Sequence, residues 1–404
     1  MHIIFIWFGA VSYVMMHALA ELCKKSWKNT SFTIIARSDR FKQELHDSPL
    51  KYTSLIVPDV KGFLHVAGSN DHIEWLKTTG EQIFVVNAAT PELNIPIISR
   101  ALTHGIHYMD MASVYDEVIA TKKTLPQFAY EKQFTERGSI ALLNTGISPW
   151  VTELCIAYMV KKYAISPRSI QLYLTERLSA DVPLFSWSPA TAIDEMMTPA
   201  VAIQDKKNVI QPPFTGVSRG EEATYYGITQ EELTSISRAF PEIANVAVKV
   251  TGAEILPIKF LYDMKLLSHE IIWDIALIDL IKSKAPRASS REEVKDAIAK
   301  KAIHHAGFGF QIDILDEWGK LYHIHGDFGK KEFFALIGTV YEWATNVSYP
   351  TGVGAAVLLL LGREVCDTPG MYTALEMCLR CSIDQLEKNI ETLRSLRIRI
   401  WEGE

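Results

Sequence analysis

The stretch His2-Ile-Ile-Phe-Ile-Trp-Phe-Gly-Ala-Val-Ser12 decides the fold. Its first seven residues form a continuous apolar run, the pattern of a strand covered on both faces, as in a parallel sheet. Val14, Ala18, Leu19 and Leu22 then recur at helical spacing, which predicts a helix over about 12–25. Strand therefore runs into helix through a turn that contains Gly9. The segment lacks the basic start and small-residue cleavage site of a secretory signal, and Ser12, His17 and Glu21 interrupt it as a membrane span.

Working outward, the same alternation continues. Strands are expected over 31–36, near 52–57, and over 83–86, 107–111 and 139–144, with helices over about 94–103, ended by Gly105, and around 125–135. Strand and helix alternating in this way through the first 145 residues predict an α/β fold of Rossmann type, a doubly wound parallel sheet with right-handed crossovers. Past Thr152 the rhythm changes. Alternating stretches at 169–175, 200–204 and 245–251 predict a mainly antiparallel sheet in a second domain, and the tail after Tyr349 turns helical again at 353–361 and 382–396. A chain of 404 residues is long enough for two domains. The expected division is a first domain of 1–125 with 347–404 and a second, α+β domain of 126–346.

Lysine and arginine total 41 against 47 acidic residues, a formal charge of −6. That balance offers no basic footprint for nucleic acid and no polybasic membrane patch, so a small-molecule partner is expected. Five scattered cysteines suit a reducing compartment, and a cytoplasmic location is expected.

The turn Trp7-Phe-Gly9-Ala10-Val11-Ser12 stands where a dinucleotide fingerprint would stand. That motif uses glycine to turn tightly, to let a pyrophosphate approach the backbone and to close-pack the helix. Only the middle glycine, Gly9, is present; Trp7 and Ser12 occupy the outer positions, and an ordinary β-to-α turn is the other reading. After the second strand comes Ala36-Arg37-Ser38-Asp39-Arg40, with no carboxylate directly at the strand end. Arg37 with Ser38 suits a 2′-phosphate, hence NADP, although surface arginines after strands are common. Asn87-Ala88-Ala89-Thr90-Pro91 would lie at the carboxyl edge of the sheet and let a ribose or nicotinamide approach; it is equally a helix entry with Thr90 as cap.

Val85-Val-Asn-Ala-Ala89, Gly105-Ile-His-Tyr-Met-Asp-Met-Ala112, Leu142-Leu-Asn-Thr-Gly-Ile-Ser-Pro149, Phe185-Ser-Trp-Ser-Pro189 and the glycine-containing helix at 351–362 follow in the order and spacing of one family. Over most of its length the chain resembles the saccharopine dehydrogenase family. The resemblance implies a Rossmann domain completed by C-terminal helices, with an inserted α/β domain carrying much of the substrate site. It also implies NADP(H)-dependent hydride transfer at the carbon-nitrogen bond of an amino-acid-derived secondary amine or imine such as saccharopine, and a homodimer. A carboxynorspermidine-type dehydrogenase is an alternative, and so is a non-catalytic member with a degenerate cofactor site.

Carried over residue by residue, Asp110 falls on the floor of the family's active site with Ser113 and Tyr115 after it. Asp110 and Tyr115 are candidate catalytic groups and Ser113 a candidate substrate contact; a strand-end carboxylate capping a turn is the other reading of Asp110. Ser148 stands where saccharopine reductases have aspartate in a Gly-Leu-Asp-Pro-Gly motif, and Trp150 replaces its last glycine, departures that weaken an assignment to saccharopine itself. Trp187 would wall the nicotinamide or an alkyl chain, and Arg219, in Val217-Ser-Arg-Gly220, would hold a carboxylate. The pairs His323-Ile-His325 and Cys378-Leu-Arg-Cys381 lack further ligands, so no metal is expected, and His304-His305 reads as a helix end.

Overall fold

The computed structural model describes residues 1–24, 30–39, 41–45, 48, 50–57, 67–219 and 223–403. In chain order the strands are β1 (His2–Ile6), β2 (Ser31–Ala36), β3 (Tyr52–Ile56), β4 (Ile83–Asn87), β5 (His107–Asp110), β6 (Ile140–Leu143), β7 (Pro167–Ala180), β8 (Ala200–Gln204), β9 (Lys207–Gln211), β10 (Gly216–Arg219), β11 (Ala223–Ile228), β12 (Asn245–Gly252), the short pair β13 (Ile271–Ile272) and β14 (Ile275–Ala276), β15 (Ile303–Asp316), β16 (Leu321–Phe328), β17 (Gly370–Thr373) and β18 (Arg399–Glu402). The chain forms two compact units. The first holds Met1–Val114, Thr124–Tyr158 and Thr351–Leu393, and the second Tyr115–Lys123, Met159–Pro350 and Arg394–Glu404.

The first unit is built on a seven-stranded sheet in the order β17-β6-β5-β4-β1-β2-β3, and every pairing in it is parallel. Its strands read as apolar runs because helices cover both faces: Ile3, Ile4, Phe5 and Ile6 have no exposed surface. Read from β3, the order 3-2-1-4-5-6 is the doubly wound arrangement, and it reverses between β1 and β4. The seventh strand comes from the C-terminal tail, where β17 pairs with β6. The helix Ser348–Val365 brings Gly352 so close to the helix Ala10–Lys24 that a Cβ there would lie 2.7 Å from Val14 Cβ.

The second unit carries a nine-stranded sheet with the main order β10-β11-β12-β7-β15-β16-β18. It is mainly antiparallel, as expected, with one parallel pairing: β12 runs parallel to β7 over eight residue pairs, Asn245↔Ser169 to Gly252↔Glu176. The boundary also differs from the expected start of the second domain at 126. β6 pairs with β5, so the segment Thr124–Tyr158 belongs to the first unit. His304 and His305 lie near the start of the long strand β15 and not at a helix end, because Phe308, Phe310, Ile312 and Ile314 alternate inward along it. Among the described residues no helix is long and apolar enough to cross a membrane, and no group of three or more metal-binding side chains comes together.

Candidate functional site

In open α/β sheets, ligands sit outside the carboxyl ends of the strands where the strand order reverses. Here that point lies between β1 and β4, and it gathers the first group of expected residues. The Trp7 N–H donates to the Ile35 carbonyl at 2.8 Å and the Ala88 N–H to the Ile6 carbonyl at 3.3 Å, which ties the ends of β1, β2 and β4 together. The helix Ala10–Lys24 starts immediately after Gly9. Its first bond at this end runs from the Tyr13 N–H to the Gly9 carbonyl at 2.9 Å, so the amides of Ala10, Val11 and Ser12 precede the hydrogen-bonded ladder. Such amides, reinforced by the helix dipole, attract phosphate.

Trp7 adopts φ +71°, the left-handed conformation that a glycine takes at this position. Its indole does not close the turn: a Cβ built on Gly9 would meet no atom within 4 Å. The ring instead lies beneath the Arg37 guanidinium, whose Cζ is 4.3 Å from the ring centroid. Ser12 is 1% exposed and its hydroxyl donates to the Trp7 carbonyl at 3.3 Å. The space in front of Gly9 and the cation beside it therefore fit a diphosphate and a further phosphate. Ser38, next to Arg37, is exposed.

Asn87 shapes the segment after β4. Its Oδ1 accepts from the Ala89 N–H at 3.0 Å, and its amide donates to the Thr90 carbonyl at 3.1 Å and to Asn94 Oδ1 at 2.6 Å. Thr90 makes no side-chain cap, and Pro91 opens a short 3-10 turn. Asn94 links this segment to a buried network by donating to the Ala112 carbonyl at 2.7 Å. At its centre Asp110 has no exposed surface. Oδ1 accepts from the Asn144 N–H at 2.7 Å; Oδ2 lies 3.0 Å from the Tyr108 hydroxyl and accepts from the Gln127 amide at 3.1 Å. Gln127 also donates to Ser113 Oγ, and Ser113 to Asn144 Oδ1. Burial, with the Asp110 charge beside it, pushes the Tyr108 phenol well above its usual range.

This arrangement matches the second reading of Asp110, a strand-end carboxylate that fixes a turn: Asp110 and Ser113 face inward and hold the 144 loop. Tyr115 belongs to the second unit; its hydroxyl bonds Thr234 Oγ1 at 2.7 Å, and burial raises it above the ordinary phenol range, so it stays protonated near neutral pH. Ser148 is half-buried in the first unit, beside Trp150, which has no exposed surface.

Trp187 and Arg219 also belong to the second unit. Arg219 ends β10; its side chain and Gly220 lie outside the described residues. Trp187 is half-buried and its Nε1 donates to Glu176 Oε2 at 3.2 Å. Sequence reasoning missed Glu176, although a signal was present: along β7 Leu172, Leu174 and Glu176 fall at spacing two on the buried face. It also missed Asn94, Gln127 and Asn144, polar residues that only the tertiary network marks.

No family model matches the chain. Saccharopine dehydrogenase (L-Glu forming) from Saccharomyces cerevisiae superposes over 100% of both chains with a TM-score of 0.62 at 13% identity. The fold is that of saccharopine dehydrogenase. Homospermidine synthase from Legionella pneumophila, solved in complex with NAD, shares the saccharopine dehydrogenase fold over 100% of this chain and 91% of its own, with a TM-score of 0.66 at 12% identity. Among curated proteins, carboxyaminopropylagmatine dehydrogenase from a Synechocystis strain is 24% identical over 155 residues. That match spans 38% of this chain and 36% of the relative.

Proposed function

We propose that the protein is an NADP(H)-dependent oxidoreductase acting on the carbon-nitrogen bond of an amino-acid-derived secondary amine or its imine. The observation that carries the reading is the turn after β1, open in front of Gly9 and flanked by Arg37 on Trp7. Gly9, Ala10, Val11 and Ser12 would hold the diphosphate, Arg37 and Ser38 a 2′-phosphate, and Asn87, Ala88, Ala89 and Thr90 the edge from which a nicotinamide is presented. The nicotinamide supplies the two-electron chemistry. The chain's own part is orientation, exclusion of water and charge. Asp110, Gln127 and Asn144 keep the floor of that edge rigid.

The dehydrogenase from Synechocystis and the NAD-bound synthase from Legionella support a nicotinamide-linked reaction. They also favour a second reading of the substrate, a carboxylated diamine in place of a lysine-glutamate adduct. Titration of NADPH and NADH against intrinsic tryptophan fluorescence, followed by reductive assays pairing a carbonyl acid with lysine or with diaminopropane, tests both. Binding of neither cofactor would leave the non-catalytic alternative. We further propose a cytoplasmic homodimer, which light scattering on the full chain would test; the five buried, unbridged cysteines are compatible with a reducing compartment.

A further inference from the structure

Two carboxylates converge on one dipeptide in the second unit. Glu176 is 7% exposed; Trp187 donates to its Oε2 at 3.2 Å, and its Oε1 has no hydrogen-bond partner. The preceding residue, Ser186, donates its N–H to Glu254 Oε1 at 2.8 Å. The dipeptide is itself anchored: the Ser186 hydroxyl donates to Asn346 Oδ1 at 2.7 Å, and Thr345 Oγ1 donates to the Ser186 carbonyl at 3.2 Å.

Neither Glu176 nor Glu254 forms an ion pair with a lysine, arginine or histidine among the described residues. Burial and the neighbouring Glu254 push the Glu176 carboxyl up to about 8, burial raises Glu254 as well, and Glu195 adds further negative charge near Glu176. Removing a carboxylate from water without a counter-charge costs several kcal/mol, and the described residues form no ion pair that supplies one here.

We propose that Glu176 and Glu254, walled by the Trp187 indole, form a site for a primary aliphatic ammonium, and that the substrate arm entering it ends in an ammonium without a carboxylate. This rests on the oxidoreductase reading and deepens its substrate class. An ammonium carries three donors, enough for Glu176 Oε1 and Glu254 together, and its alkyl stem and charge both suit an indole face. An arm of a lysine-glutamate adduct ends in a carboxylate. Placing that group against two glutamates opposes like charges in a poorly hydrated place, so the same site rejects it.

The test is calorimetric titration of the full chain, without cofactor, with 1,3-diaminopropane and separately with L-glutamate. Expected are diamine binding, no L-glutamate binding, and at least a tenfold loss of diamine affinity in Glu176→Gln and in Glu254→Gln. Glu176→Gln removes a buried titratable group without changing shape, and NADPH titration of the same samples shows that each variant is folded. Unchanged diamine affinity in both glutamine variants overturns the site, as does L-glutamate binding as tightly as the diamine. Diamine binding in a protein that takes up neither nicotinamide cofactor refutes the oxidoreductase reading and leaves the ammonium site standing.

Discussion

Arg37→Asp is expected to weaken NADPH binding far more than NADH binding. The guanidinium is exposed, its Cζ lies 4.3 Å from the Trp7 ring centroid, and it has no carboxylate partner among the described residues, so its donors are available to a phosphate. A charge-assisted hydrogen bond contributes about 1.5–3 kcal/mol, and solvent screening at an exposed position favours the lower end. Two such bonds to one phosphate, discounted for screening, contribute roughly 2–3 kcal/mol, or about 30- to 150-fold in affinity. Aspartate adds repulsion to the loss. NADH presents a hydroxyl at that place and forfeits only a neutral contact, about 1 kcal/mol or less. Fluorescence titration of both cofactors against the wild type, Arg37→Ala and Arg37→Asp, at low and high salt, measures the difference. Equal losses for the two cofactors, or an NADPH affinity that ignores both substitution and salt, would refute the assigned role of Arg37.

Asp110→Ala should destabilise the chain by about 3 kcal/mol or more, because it leaves the buried Asn144 N–H and Gln127 amide without their acceptor; a thermal melt matching the wild type would mean the network has another centre. Trp150→Gly and Trp7→Gly should differ although both relieve a positive φ, +116° and +71°. Trp150 is fully buried and its indole N–H donates to the Gly354 carbonyl at 2.6 Å, so its loss should cost about 3–5 kcal/mol, whereas half-exposed Trp7 should change stability by roughly 1 kcal/mol in either direction, as read by urea unfolding. Burial lowers the His107 imidazole to about 4. Its contribution is complete above the unfolded value near 6.5 and declines as pH falls toward 4, so the stability lost between pH 6.5 and 5 should be about 2 kcal/mol smaller in His107→Gln than in the wild type; identical losses would show that the ring is hydrated.

The first sheet was legible because a parallel strand buried on both faces reads as an apolar run. β2 and β8 match their expected bounds, and β1, β3 and β4 differ by one or two residues at an end. β17 was not legible: Gly370–Thr373 is four residues long and joins the sheet only through its distant pairing with β6. The same limit hid the parallel pairing of β7 with β12, since strand direction is set by tertiary partners while the alternating pattern records only which face is buried. Trp187 was singled out by motif, but its partner Glu176 lies eleven residues earlier on a strand. Asp110 was found by position, with a catalytic and a turn-fixing reading both open, because the sequence does not record that Asn144, Tyr108 and Gln127 use both of its oxygens.

The turn after β1 shows why a degenerate fingerprint is weak evidence against a binding turn. Three glycines in that motif meet three separate physical needs: a left-handed backbone, an unobstructed approach to the peptide plane, and close packing of the following helix. This chain distributes them. Trp7 adopts the left-handed φ and keeps its indole against Arg37; Gly9 alone leaves the approach open; and the close contact on the helix Ala10–Lys24 is made by Gly352 from the helix Ser348–Val365. Ser12 fits beneath because its hydroxyl folds back onto the Trp7 carbonyl. A left-handed tryptophan costs about 1–3 kcal/mol, which the cation-π contact with Arg37 offsets in part. The indole that replaces a glycine thus sets the orientation of the arginine that would select the cofactor, and the geometry of the turn outlasts the loss of its letters.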